Sequence, residues 1–148
     1  MQEFYDKMLE AQGIIFGTPV YWYSVTAQAK LIIDRSYALY NSSQLVNKVG
    51  GVVTVATNAG QYRVWNQFTL FFSDNRMFIA DIVEGFASGK GAIREHEHAI
   101  KAARELGRLV SLMVKQGLTF PKDYQIPIYR LVKRKYSLDY CPIKPRGS

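Results

Sequence analysis

The stretch from Gly13 to Arg35, GIIFGTPVYWYSVTAQAKLIIDR, constrains the fold more than any other part of the chain. An apolar run, Ile14–Phe16, meets Gly17-Thr18-Pro19 and an aromatic loop, Tyr21-Trp22-Tyr23, and a helical pattern opens at Ser24. That order reads as a short buried strand, a tight turn and a helix. Ser24 is expected to cap the helix by satisfying its early N–H groups. In an open α/β sheet, ligands sit beyond the C-terminal ends of the strands. The loop Thr18–Tyr23 is therefore a candidate ligand rim, and its aromatic and small residues suit a flat, partly apolar ligand better than a bare phosphate.

The rest of the chain repeats the alternation. Met1–Ala11 reads as a helix with Phe4, Met8 and Ala11 on one face, and the helix from Ser24 is expected to reach Tyr40. Val49–Ala56, VGGVVTVA, is apolar on both faces, as a buried parallel strand should be. A turn, Thr57-Asn58-Ala59-Gly60, leads into a helix over Gln61–Asn75; Met77–Val83 is a third strand and Glu84–Gly91 a glycine-rich loop. A long helix follows over Ile93–Gln116, with Gly107 expected to mark a close helix–sheet contact, and Gly117 ends it. Strands alternating with helices imply a parallel sheet with right-handed crossovers.

Composition excludes several classes. At 48% hydrophobic and 21% charged, the 148 residues are expected to fold as one domain. No apolar run reaches the roughly 18 residues of a transmembrane helix, so no membrane association is expected. The charged N-terminus does not read as a signal peptide, and a cytoplasmic address is the default. The one cysteine, Cys141, excludes an intramolecular disulfide and a four-cysteine cluster within one chain. Of the net charge of +7, residues 118–148 carry +5. The high pI thus describes a tail, and nucleic-acid binding is a weak inference from it.

Two loops, Thr18–Tyr23 and Thr57–Gln61, follow two strand ends and should emerge at the same rim. Their backbone N–H groups can hydrogen-bond a heterocycle's carbonyl oxygens and stabilise negative charge on a reduced ring. Tyr21 and Trp22 could cover a ring face. From spacing alone, the same aromatics fit a core or interface role equally well. His96 and His98 lie two apart on a helix, point to different faces and read as solvated; no metal site is expected. FASGKG (Phe86–Gly91) lacks the spacing of a phosphate loop. Lys30 and Asp34 read as a surface i,i+4 pair.

The stretch GIIFGTPVYWYSVTAQAKLIIDR resembles the second flavin-binding loop and following helix of the NADPH-dependent FMN reductases, and is most similar to the iron–sulfur flavoprotein pattern SPVYxxSVTAQMKxxIDR. NKVGGVVTVATNAGQ and GKGAIREHEHAIKAARELGRLV resemble the next strand and loop and the last helix of that branch. The resemblance implies an α/β fold, a truncated flavodoxin-like three-layer sandwich. It would have a short parallel sheet of three strands with flanking helices over residues 1–117, then a basic, Tyr- and Pro-containing tail or arm over 118–148. It implies FMN as cofactor, NAD(P)H as electron donor, and an FMN-dependent NAD(P)H oxidoreductase or its flavin-ring-binding half. Thr18, Pro19, Val20, Tyr21, Trp22 and Ser24 would bind the cofactor from one side, and Thr57, Asn58, Ala59, Gly60 and Gln61 from the other. Flavin hydride chemistry needs no catalytic side chain, so none is assigned.

Family members begin with a strand, a phosphate-binding loop, a helix and a second strand, and the iron–sulfur branch adds a cysteine cluster. These have no counterpart in the residues read here, so the chain corresponds to the last three βα units, and no iron–sulfur cluster is expected. The start of the helix at Ser24 is the remaining candidate for a phosphate. The strand Ile14–Phe16 becomes an open edge, an association hazard. It is expected to be covered by a second copy in a homo-oligomer (dimer or tetramer), by the chain's own tail, or by a separate polypeptide supplying the missing half. Two alternatives remain open: a non-catalytic flavodoxin-like assembly module without FMN, and nucleic-acid binding through the tail, where basic residues interleave with Tyr129, Tyr136 and Tyr140.

Overall fold

Each of the three apolar runs forms a strand, and two of them extend past their apolar residues because their neighbours share the ladder. The computed structural model describes residues 2–137. The strands are β1 (Gly13–Pro19), β2 (Val49–Ala56) and β3 (Phe78–Phe86), all parallel, in the order β1-β2-β3. Pairing of Gly13–Pro19 with Val49–Val55 draws both glycines, Thr18 and Pro19 into β1. Pairing of Thr54, Val55 and Ala56 with Glu84, Gly85 and Phe86 extends β3 through the first three residues of the expected glycine-rich loop.

The helices are α1 (Gln2–Glu10), α2 (Ala27–Arg35), α3 (Tyr37–Asn41), α4 (Gln61–Asp74), α5 (Glu97–Gln116) and α6 (Ile128–Tyr136). One sheet face packs against α1, α2 and α4 through a core of Met8, Ala29, Val52, Val64, Phe68 and Phe72. The other packs against α5 through Val49, Val83, Leu106 and Val110. The result is three layers, with both sheet faces covered, as a parallel sheet requires.

Local chemistry moved several boundaries. The helix after β1 starts at Ala27, because Thr26, not Ser24, is its cap: the Thr26 hydroxyl accepts from Ala29 N at 3.2 Å. The helix does not run on to Tyr40. Buried Ser36 interrupts it, its Oγ donating back to Ile33 O at 2.7 Å. Ahead of α5, Ala92–Glu95 is a 3₁₀ turn, and His96 caps α5 by accepting from Ala99 N at 3.2 Å. This histidine has a structural role beyond solvation. Gly107 makes no close contact: a Cβ there would meet nothing within 4 Å. The close approach is made from the sheet side, where a Cβ on Gly13 would lie 2.6 Å from Val110 and one on Gly51 3.0 Å from Leu106.

Lys48 is buried just before β2, and its ammonium donates to Leu9 O at 2.8 Å and Ala11 O at 2.5 Å. It thereby closes the C-terminal end of α1, where carbonyls lack helical partners. Burial holds its pKa below the ordinary lysine value. Lys48→Met should cost about 2 kcal/mol, since it strips two charge-assisted bonds and relieves only part of their desolvation. A urea midpoint measured against the parent checks this.

The described part of residues 118–148 folds back across the N-terminal ends of β2 and β3. Phe120 stacks on Phe78 (centroids 4.3 Å apart, planes at 4°), with the Arg76 guanidinium 4.1 Å from the Phe120 ring centroid. Asn47 Oδ1 accepts from Phe120 N at 2.8 Å. In α6, Arg130 lies 4.2 Å above the Tyr40 ring, and the Tyr40 and Tyr129 hydroxyls are hydrogen-bonded. Tyr140 and Cys141 lie outside the described residues. Among the described residues no strand pairs with the outer side of β1. A groove of about 410 Å³ runs along it, lined by Phe4, Met8, Ile14, Ile15, Phe16 and Ile32.

Candidate functional site at the C-terminal rim of the sheet

Parallel pairing brings the C-terminal ends of β1 and β2 to the same rim, with Pro19 opposite Val55. Val20 N extends the ladder by donating to Val55 O at 2.8 Å. The chain then reverses over two residues. Tyr21 N donates to Ser24 O and Ser24 N to Tyr21 O, both at 3.0 Å, leaving Trp22 and Tyr23 at the tip. Both tip residues have positive φ, 49° and 60°. Such two-residue turns favour Asn-Gly, and each non-glycine residue held there costs roughly 1–2 kcal/mol. The cost is borne to project aromatic side chains outward: Trp22 is 93% exposed, and Tyr21 and Tyr23 are also exposed. Strain of this kind concentrates at functional loops.

The turn after β2 abuts this tip. Gly60, with φ +104°, has room for no side chain: a Cβ would lie 2.8 Å from both Tyr23 Cα and Val20 Cγ1. Thr57, Asn58 and Ala59 stand exposed beside it. Gln61 opens α4, and its side chain is buried at 5% exposure with Nε2 lacking any partner. One turn on, Trp65 Nε1 is buried and equally unpaired. From the sequence, Trp65 is assigned no role at the site. Its i,i+4 relation to Gln61 was the available signal, since those positions share a face.

Of the eleven expected site residues, the structure gathers Val20, Tyr21, Trp22 and the Thr57–Gln61 turn around one junction. The other three take different places. Thr18 is buried, with its hydroxyl donating to Pro19 O at 2.9 Å and lying 3.4 Å from the Thr26 hydroxyl, so it braces the loop from within. Ser24 donates its N–H to Tyr21 O and caps no helix, so the expected anion site at a helix start is not formed there. Pro19 ends β1 on the exposed side.

The sequence model of one family, NADPH-dependent FMN reductase, matches residues 1–92. The chain belongs to this family. An iron–sulfur flavoprotein of Methanocaldococcus jannaschii is 36% identical over 125 residues, covering 78% of this chain and 65% of that protein. An NAD(P)H dehydrogenase (quinone) of Trichlorobacter lovleyi is 29% identical over 128 residues, covering 72% and 63%. The chain thus spans about two thirds of the length of these relatives. A flavodoxin, WrbA-like protein from Agrobacterium tumefaciens superposes with a TM-score of 0.61 at 18% identity, over 80% of this chain and 75% of that one. The fold is therefore flavodoxin-like, with three parallel strands in the described residues. The rim of this FMN reductase family member has three features of its own. It combines a cradle closed to any Cβ at Gly60, exposed aromatics beside it, and buried N–H donors that have no protein acceptor.

Proposed function

We propose that this chain supplies the ring-facing side of an FMN-dependent NAD(P)H oxidoreductase. The junction at Gly60, where two strand-end loops touch beside the unpaired Gln61 amide, carries the reading. Val20, Tyr21 and Trp22 line one side of the ring, and Thr57, Asn58, Ala59, Gly60 and Gln61 the other. FMN, when bound, would supply hydride chemistry with a nicotinamide donor. The residues of this chain would position it: backbone N–H groups of the Thr57–Gly60 turn would donate to its carbonyl oxygens, and the aromatic tip would keep water from one ring face.

The same reading places a second polypeptide, a further copy of this chain or a separate one, along the open edge of β1. An apolar edge that no strand covers among the described residues invites such pairing. Titration of FMN into the purified protein should perturb the flavin's visible bands saturably, and NADPH should then bleach them. An unperturbed spectrum at protein concentrations up to the millimolar range would overturn the proposal and leave a non-catalytic assembly module. A monomeric mass in solution would overturn the edge-pairing part alone.

A further inference from the structure

We propose that the open cavity lined by α2, α3, α4 and α6 is a second binding site, for a planar organic cation that carries N–H donors. The cavity measures about 720 Å³, within the range of small-molecule pockets. It lies at the other end of the molecule from the flavin rim. Its wall includes Asp74 and Asn75, which finish α4, whereas Gln61 begins that helix beside the rim; the helix rise puts the two some 20 Å apart.

Asp34, Asp74 and Asn75 stand in the wall of a cleft with aromatic sides. Asp34 and Asp74 bring carboxylates. Asn75 is 7% exposed, and its Nδ2 donates to Phe71 O at 2.8 Å. That bond fixes the amide's orientation, because a flipped amide would set two oxygens against each other. Asn75 Oδ1 is left buried with no partner, an arrangement that costs stability unless something donates to it. Tyr37 and Tyr40, with ring centroids 5.6 Å apart, form an aromatic wall, and Leu70 and Phe71 supply apolar floor. The cation at the cavity, Arg130, is engaged by the Tyr40 ring and by Asn41 Oδ1 at 3.2 Å. Asp34 pairs with Lys30 at 2.5 Å on the exposed side, and Asp74 has no ion pair among the described residues.

Charge sets the ligand's sign. The Asp74 carboxylate, the orphan Asn75 oxygen and the negative end of the α4 dipole lie together where the Arg130 guanidinium is already engaged. The chain as a whole carries +7 and repels cations, so saturable capture of one requires a local site. The three tyrosines, Tyr37, Tyr40 and Tyr129, favour a cation that is also flat. Because α6 supplies Tyr129 and Arg130, the site exists only when the segment after α5 is docked.

Proflavine, a tricyclic cation with two amino groups, is the probe, followed by fluorescence anisotropy on the full chain. The expected result is saturable binding that excess FMN does not displace and that fluorescein, an anionic tricycle, does not reproduce. Asp74→Lys should weaken it about tenfold or more, as loss of a charge-assisted contact predicts. A lysine in the last turn of α4 is compatible with the helix dipole, so the fold is retained. Asp34→Asn should weaken binding in the same direction. The proposal is overturned if proflavine fails to bind saturably, if FMN displaces it, if fluorescein binds as well, or if neither substitution changes its affinity. None of these outcomes depends on whether the flavin rim is occupied.

Discussion

Gly50→Ala should destabilise the protein by about 3 kcal/mol, at the upper end of what one added methyl costs in a packed core. A Cβ at position 50 would sit 2.5–2.7 Å from three carbons of the Phe72 ring. That ring has nowhere to go. Phe72 is 0% exposed and lies against Phe16, Phe68 and Phe71, with centroids 6.0, 6.2 and 5.8 Å away. Phe72→Ala alone should cost about 3–5 kcal/mol through lost burial and the remaining cavity. The pair should then be strongly non-additive, because the smaller side chain makes room for the new methyl. Guanidinium unfolding of both single variants and the double variant tests this. A double variant whose loss equals the sum of the singles within about 0.5 kcal/mol would mean that the collision is not where the cost arises.

Gly60→Ala should remove FMN binding, with affinity falling at least tenfold, about 1.4 kcal/mol. Two penalties act together: the left-handed backbone at φ +104°, and a Cβ driven to 2.8 Å from the Tyr23 backbone. Gly89→Ala separates them. Gly89 has φ +97°, but a Cβ there meets nothing within 4 Å, so this variant bears the backbone penalty without the collision. The expected pattern is a loss of roughly 1 kcal/mol of stability in Gly89→Ala and a larger loss in Gly60→Ala, with the flavin spectrum lost only in Gly60→Ala. Retained binding in Gly60→Ala would show that contact between the two loops does not shape the ring site.

The sequence disclosed most where one local pattern settled the matter. β2 was legible residue for residue because Val49–Ala56 is apolar on both faces, and α4 was legible to its last residue but one. The meeting of two loops at one rim followed from the alternation of strands and helices. What stayed hidden depended on partners far along the chain. Nothing local marks Lys48 as the closure of α1, nor Phe120 as a ring held between Phe78 and Arg76. Gly107 misled because a helical glycine signals close approach only if its face meets the sheet, and here the sheet's own glycines made the room. At the site, the aromatic residues were legible but their turn was not. Trp22-Tyr23 has a composition opposite to that of the Asn-Gly turns whose backbone it adopts.

That same turn has an optical consequence. The chain holds two tryptophans in different environments: Trp22 at the tip is bathed in solvent, whereas Trp65 is half-buried with its indole N–H sealed from it. Collisional agents such as iodide will therefore reach the first more readily than the second. The accessible half of the intrinsic emission is a gauge, already encoded in the polypeptide, of whether anything has come to rest on the tip.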